Sequence, residues 1–292
     1  MTAIAPTVDL AAAYRHCEEV TRREARNFSY GIRLLPTDKR QAMSAVYAFA
    51  RRIDDIGDGD LPADEKLRLL ADARAALATV GERTDDLVLV ALADAAKRFP
   101  IPLPAFGELI EGVEMDVRGV RYESFDDLVH YCRCVAGSIG RLCLAIFGAD
   151  RYDEAAPLAD ALGVALQQTN ILRDIREDLG NGRIYLPQQD LRRFGVDLQL
   201  AADGTVEGPR DRLVDLIEDA AARAETWYAD GLRLLPMLDR RSAACCAAMS
   251  GIYRRLLARI EETPEVVLRE RMSLSAWEKM TVAARSLAGA RT

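Results

Sequence analysis

An all-α fold, a helical bundle with a central cavity, is predicted by three observations. Half of the 292 residues are hydrophobic and only 6% are aromatic, with Ala and Leu throughout, which favours helix over strand. Apolar residues recur at helical spacing along nearly the whole chain, and no run alternates as a half-buried strand would. Finally, two helical stretches place acidic and polar residues where a core-facing stripe should be apolar, as in a bundle whose site lies between facing helices.

The elements follow in order. Pro36-Thr37-Asp38 opens a helix to about Ile56, with Gly57 and Gly59 near its end. Pro62-Ala63-Asp64 starts another to about Val80. Helices over about 85–98 and 103–117 are separated by the Pro100-Ile101-Pro102 break. Ser124 with Asp127 three residues on reads as a capped start for one long helix to about Phe147. Residues 153–178 form the next helix, ended by a turn at Gly180-Asn181-Gly182. The segment 195–211, with Gly195, Gly204, Gly208 and Pro209, is the best loop. Helices over about 212–235 and 239–262 precede a last one starting near Ser273. No linker is long or polar enough to divide the chain, so residues 1–292 are expected to form a single domain.

The first acidic face is Tyr47, Arg51, Asp54 and Asp58, at offsets 0, 4, 7 and 11. The second is Gln167, Asn170, Asp174 and Asp178, at offsets 0, 3, 7 and 11. Each set lines one side of an α-helix whose other residues are largely apolar. Four carboxylates on buried helices are costly unless something positive lies between them. Mg²⁺ wants hard oxygen ligands, and two facing Asp pairs would grip two or three such ions together with a diphosphate. Arg51 and Arg173 stand ready for phosphate oxygens, and Asn170 adds a neutral oxygen ligand or a hydrogen bond. Arg183 and Tyr185 follow the glycine turn, where a flap would close over the charge. Asp55 and Glu177 fall off these faces and are expected to play supporting roles at most.

The remaining composition narrows the field. A net charge of −7 argues against a nucleic-acid binder, which needs a basic footprint. No apolar run approaches the roughly 20 residues that span a bilayer. The N-terminus MTAIAPTVDLAAAY lacks the basic and apolar regions of a secretory signal, so a soluble cytoplasmic protein is expected. The six cysteines contain no CxxC pair and there are only two histidines, a pattern that points to buried structural thiols rather than a zinc site or disulfide scaffold.

The passages NFSYGIRLLPTDKRQAMSAVYAFARRIDDIGD, YCRCVAGSIG and LQQTNILRDIREDLGNGRIYLP resemble the squalene/phytoene synthase family of head-to-head prenyl transferases, over about Asn27 to Arg271. Within it, YGIRLLP and RRIDDIGDG most resemble the bacterial presqualene diphosphate synthases of hopanoid biosynthesis. The resemblance implies the class I isoprenoid synthase bundle. It implies Mg²⁺ at Asp54, Asp58, Asp174 and Asp178 with Asn170 nearby, and diphosphate at Arg51, Arg173, Arg183 and Arg271. Phe28, Tyr47, Tyr131, Gln167 and Tyr253 match cavity-lining positions. Two departures are Arg176, where the family's DVGED has glycine, and Ala50, where many members have cysteine. Arg176 is expected to point away from the aspartates and pair with a neighbouring carboxylate.

The implied reaction joins two farnesyl diphosphates. Diphosphate leaves one of them with the help of Mg²⁺ and arginines, and the allylic cation is shielded in an apolar cavity. The second molecule attacks through its C2–C3 double bond, and proton loss closes the cyclopropane of presqualene diphosphate, which downstream squalene-forming enzymes would consume. Tyr131 would help orient that proton loss, although released diphosphate is a stronger base than a neutral tyrosine. NADPH is not expected. The alternatives are phytoene synthase acting on geranylgeranyl diphosphate, dehydrosqualene synthase, a full squalene synthase using NADPH and, remotely, a non-catalytic helical assembly protein. Greasy substrate and product leave room for peripheral membrane contact, which no sequence element demonstrates.

Overall fold

A computed structural model describes residues 9–25, 28–82 and 85–289. The expectation of no signal at residues 1–8 and the start of the family resemblance at Asn27 lie outside the described residues.

Thirteen α-helices make up the described fold: α1 (Leu10–Glu24), α2 (Phe28–Ile32), α3 (Thr37–Asp58), α4 (Ala63–Ala78), α5 (Leu87–Arg98), α6 (Pro104–Val117), α7 (Phe125–Cys132), α8 (Ser138–Phe147), α9 (Tyr152–Gly180), α10 (Gln188–Phe194), α11 (Arg210–Gly231), α12 (Arg240–Glu262) and α13 (Ala276–Gly289). Side chains cap several of them. Asp9, Asp86 and Asp239 each accept two backbone N–H groups of the helix that follows. Ser124 and Asp127 form the full reciprocal capping box expected at the start of α7. Buried hydroxyls are satisfied within their own helices, as when Ser250 and Thr169 donate to the carbonyls of Cys246 and Ala165 at 2.8 and 2.9 Å.

Several elements depart from the sequence expectation. The helices α1, α2 and α10 were not expected. Within the predicted loop 195–211, Gln199–Leu200 (β1) and Val206–Glu207 (β2) pair antiparallel in a two-stranded ribbon. The chain after α11 continues as a 3-10 turn over Leu232–Met237, where Pro236 removes a helical donor, and the last helix starts at Ala276 rather than near Ser273.

The long helix expected from Ser124 to Phe147 is interrupted by a π-helical turn, Arg133–Gly137. Its function is geometric. Tyr131, Val135, Ile139, Cys143 and Phe147 all line the central cavity at intervals of four residues. A regular helix would spread these five over about 160° of arc, and one extra residue in the turn narrows that to about 80°.

Helix α9 packs against α7, α8, α11 and α12, and α3 against α1, α4, α5, α6 and α8. The seam between α8 and α9 is close because glycines face backbone. A Cβ on Gly140 would overlap the Ala159 carbonyl, and one on Gly163 would overlap the Ala136 carbonyl. All six cysteines are buried and free, as the spacing led us to expect. Among the described residues, no helix is long and apolar enough to cross a membrane.

Candidate active site

A cavity of about 380 Å³ lies between α3 and α9, closed by α6, α8 and α12. Along α3 it is lined by Met43, Val46, Tyr47, Ala50, Arg51, Asp54, Gly57 and Asp58, one continuous stripe of a helix. The stripe is apolar at its N-terminal end and acidic at its C-terminal end. Leu162, Gly163, Leu166, Gln167 and Asn170 of α9 face it in the same sense, apolar first and polar later. One greasy chamber therefore ends in a charged mouth.

At the mouth, Asp54 is half-buried and its carboxyl is pushed up to about 7, first by burial and then by the neighbouring Asp58 charge. Asp178 is likewise pushed up to about 7, by burial and by Asp174. Asp58 is exposed, contrary to the expectation that all four carboxylates are buried, because it stands at the last residue of α3. The Arg183 guanidinium donates to Asp58 Oδ1 at 3.0 Å. Asp174 accepts from its neighbour Arg173, with Nε at 2.8 Å, and pairs with Arg271 Nε at 2.9 Å. Arg51 reaches Asp55, the off-face carboxylate, at 2.6 Å, and its buried Nε has no partner. Asn170 donates to Gln167 Oε1 at 3.4 Å while its own buried Oδ1 has no partner.

This donor set fits a hard divalent cation. Two carboxyls are raised by burial and by a neighbouring carboxylate, Asp58 beside Asp54 and Asp174 beside Asp178, and a buried amide oxygen has no donor to accept from. Oxygen-only ligands with several acidic groups are what Mg²⁺ takes. Asp54, Asp58, Asp174, Asp178 and Asn170 are the residues that would hold it.

Sequence reasoning missed Asp116. It sits near the end of α6, half-buried, and accepts from Tyr131 Oη at 2.9 Å and from Tyr185 Oη at 2.8 Å. The two rings stack with centroids 5.1 Å apart, and Tyr122 packs against both. Burial raises the Asp116 carboxyl, opposed by the Arg183 charge and the two phenols. Burial also holds Tyr131 and Tyr185 well above the ordinary phenol range, so neither is a base near neutrality. A signal was present: Leu109, Val113 and Asp116, at offsets 0, 4 and 7, extend an apolar stripe into a carboxylate as the other two faces do.

Phe28, Tyr47, Arg51, Asp54, Asp58, Tyr131, Gln167, Asn170 and Arg183 line the cavity. Arg173, Asp174, Asp178 and Arg271 join it through the ion pairs and charge contacts at the mouth. Tyr253 is a correction: it stands one layer back, its ring stacked behind Phe28 at 5.7 Å. From there its hydroxyl belongs to the polar surroundings of the Arg173 guanidinium. Arg176 is another: it donates to the Arg269 carbonyl at 2.8 Å rather than to a carboxylate, since the backbone after α12 passes within its reach.

A family model described as squalene/phytoene synthase matches residues 21–278. The phytoene synthase of Mycobacterium tuberculosis is 53% identical over 289 residues, covering 97% of this chain and 93% of that protein. A 15-cis-phytoene synthase of Synechococcus elongatus is 34% identical over 284 residues, covering 93% and 91%. The crystal structure of a dehydrosqualene synthase in complex with ligand superposes with a TM-score of 0.84 at 28% identity, covering 97% of this chain and 98% of that one. Squalene synthase HpnC from Alicyclobacillus acidocaldarius gives 0.76 at 31% identity, covering 88% and 96%.

Proposed function

We propose, because this chain belongs to the squalene/phytoene synthase family, that it condenses two geranylgeranyl diphosphates head to head to phytoene. The observation that carries the reading is the cavity itself, an apolar chamber ending between two acidic helix faces. The choice of the longer substrate rests first on the relatives, since those at 53% and 34% identity are named phytoene synthases. It corrects the emphasis of the sequence reading, which favoured farnesyl diphosphate and presqualene diphosphate.

Cavity length admits the same choice. From Asp54 to Met43 the lining stripe runs eleven residues, and from Asp58 fifteen, or about 16 and 22 Å at about 1.5 Å per residue. The sixteen main-chain bonds of a C20 tail, each of about 1.5 Å and advancing about 1.25 Å, reach about 20 Å, against about 15 Å for a C15 tail. A C20 tail matches the span from Asp58 and a C15 tail the span from Asp54, so the choice rests on the relatives.

Bound Mg²⁺ would supply neutralising charge for the departing diphosphate. Arg51, Arg173, Arg183 and Arg271 would contact its oxygens and release their present carboxylate partners as they do so. The apolar walls exclude water from the allylic cation, and the Phe28 and Tyr47 ring faces stand where a cation can rest against them. The second substrate attacks through its C2–C3 double bond and a proton is lost, closing a cyclopropane. Loss of the second diphosphate, ring opening and loss of a second proton give phytoene, with no reductant consumed. The Tyr131–Asp116–Tyr185 group fixes the cavity wall near the mouth, and released diphosphate is the base.

A farnesyl-based reaction is the second reading, favoured by the overall superposition on a dehydrosqualene synthase. Purified protein with Mg²⁺ and either C15 or C20 diphosphate, with and without NADPH, separates them. Phytoene from the C20 substrate is expected. Presqualene diphosphate or dehydrosqualene from the C15 substrate alone would replace it with the second reading, and squalene formed only with NADPH would add a reductive step. No product from either would overturn the catalytic assignment.

A further inference from the structure

On the outer side of the π turn, three side chains of different chemistry converge. His130, in the last turn of α7, and Cys134, in the π turn, are four residues apart, with Nε2 and Sγ separated by 3.9 Å. Glu111 of α6 brings Oε1 to 3.7 Å from the same Nε2. The donor atoms of all three lie within 4.8 Å of one another. We propose that Glu111, His130 and Cys134 form a binding site for a divalent transition metal of the zinc class, with water in the fourth position.

The spacing is close to what such an ion needs. With Zn–S of about 2.3 Å and Zn–N and Zn–O of about 2.0–2.1 Å, tetrahedral ligands stand about 3.3–3.6 Å apart. The pairs at 3.9 and 3.7 Å need shifts of a few tenths of an ångström, and the Glu111–Cys134 pair, within 4.8 Å, at most about 1.3 Å, which two exposed side chains on flexible stems provide. A soft sulfur with an imidazole selects zinc, cobalt or copper over magnesium, which takes oxygen ligands alone. The site is therefore chemically distinct from the cavity mouth.

The backbone is built for the approach. Gly112, next to Glu111, has no room for a Cβ, which would overlap Val135 Cγ1 and stand 3.1 Å from Cys134 Cβ. Only glycine lets α6 close on the π turn and carry the Glu111 carboxylate to the thiol. The nearest arginines are committed elsewhere: Arg141 to Glu108 and Asp160, and Arg133 to Asp160 at 2.9 Å. Glu111 thus meets His130 rather than a guanidinium.

Binding exchanges a proton for the metal. The Cys134 thiol and M²⁺ give a metal thiolate, and the thiol proton goes to solvent, while His130 binds as neutral imidazole. Burial, with Glu111 and Glu108, pushes the thiol up to about 11, so without metal the proton stays on and uptake strengthens with rising pH. Tyr131, next to His130, and Val135, next to Cys134, line the cavity, so an ion here staples α6 to the back of the reaction chamber wall. No zinc pattern is visible in the sequence because the third ligand comes from a different helix.

Metal-stripped full-length protein titrated with Co²⁺ alone tests this without reading turnover, so its outcome is separate from that of the prenyltransferase reading. A thiolate-to-cobalt charge-transfer band in the near ultraviolet and tetrahedral visible bands are expected, saturable and displaced by Zn²⁺. Cys134→Ala should abolish the charge-transfer band. His130→Ala, at an exposed position, should lower the Co²⁺ affinity by on the order of tenfold or more, and Asp174→Ala should leave the band intact. Absence of the band, its survival in Cys134→Ala or its loss in Asp174→Ala overturns the site.

Discussion

Arg183 and Asp58 are joined at 3.0 Å across 125 positions of sequence, tying the turn after α9 to the end of α3. The contact closes the cavity mouth on one side with a cation already paired to one of the four aspartates. On the proposed reading, substrate diphosphate and this aspartate would compete for Arg183. The guanidinium would exchange one anionic partner for another, which would limit the desolvation cost of binding.

Asp54→Ala and Asp174→Ala should each lower diphosphate release by on the order of a hundredfold or more, with the far-UV circular dichroism of the helices unchanged. A phosphate-release assay beside a CD spectrum checks both. Near-normal turnover in either variant would remove the metal assignment.

The metal-free protein should grow more stable as pH falls from about 8 towards 5. Asp54 and Asp178 are raised to about 7 in the fold against an ordinary value near 4, so the folded state binds more protons across that window. Stability then declines with rising pH through about 7. Thermal unfolding against pH, without divalent ions, measures the slope; adding Mg²⁺ should flatten it by stabilising the ionised pair.

Asp116→Ala should destabilise the protein by about 1–3 kcal/mol for each of the two buried phenols left without an acceptor. Urea unfolding gives the number, and Tyr131→Phe or Tyr185→Phe alone should cost less. Equal stability of Asp116→Ala and the parent would show that the three-residue group is dispensable.

Met43→Phe narrows the far end of the stripe, where a C20 tail reaches about 5 Å further than a C15 tail. Turnover of the C20 diphosphate should fall more than that of the C15 diphosphate, assayed side by side. Equal losses would mean that the tail does not run along α3.

Gly163→Ala should cost about 1–3 kcal/mol, since the new Cβ meets the Ala136 backbone, which cannot rotate away as a side chain can. Denaturant titration would show it.

The acidic faces were legible because polar residues at helical offsets inside apolar helices are anomalous. Capping made the start of α7 readable in the same way. Asp116 was harder, since a single carboxylate after Glu108, Glu111 and Glu114 looks like one more residue of a solvated face. Only the fold brings Tyr131 and Tyr185 to it from separate segments. The role of Tyr253 behind Phe28, and the pairing of Arg51 with Asp55, depend on rotamers that spacing does not encode. The π turn is no easier to read: Gly137 and Val135 weaken the helix there, but neither specifies a wide turn.

That wide turn holds two parts of the wall in phase only while it stays wide. Rewinding Arg133–Gly137 as regular α-helix at unchanged length would swing Ile139, Cys143 and Phe147 by about 100° relative to Tyr131, and half of the chamber wall would turn to face its neighbours. Deleting one codon and letting the helix close would leave them facing as they do now. The turn carries a spare residue that the chamber can lose but cannot absorb into the helix.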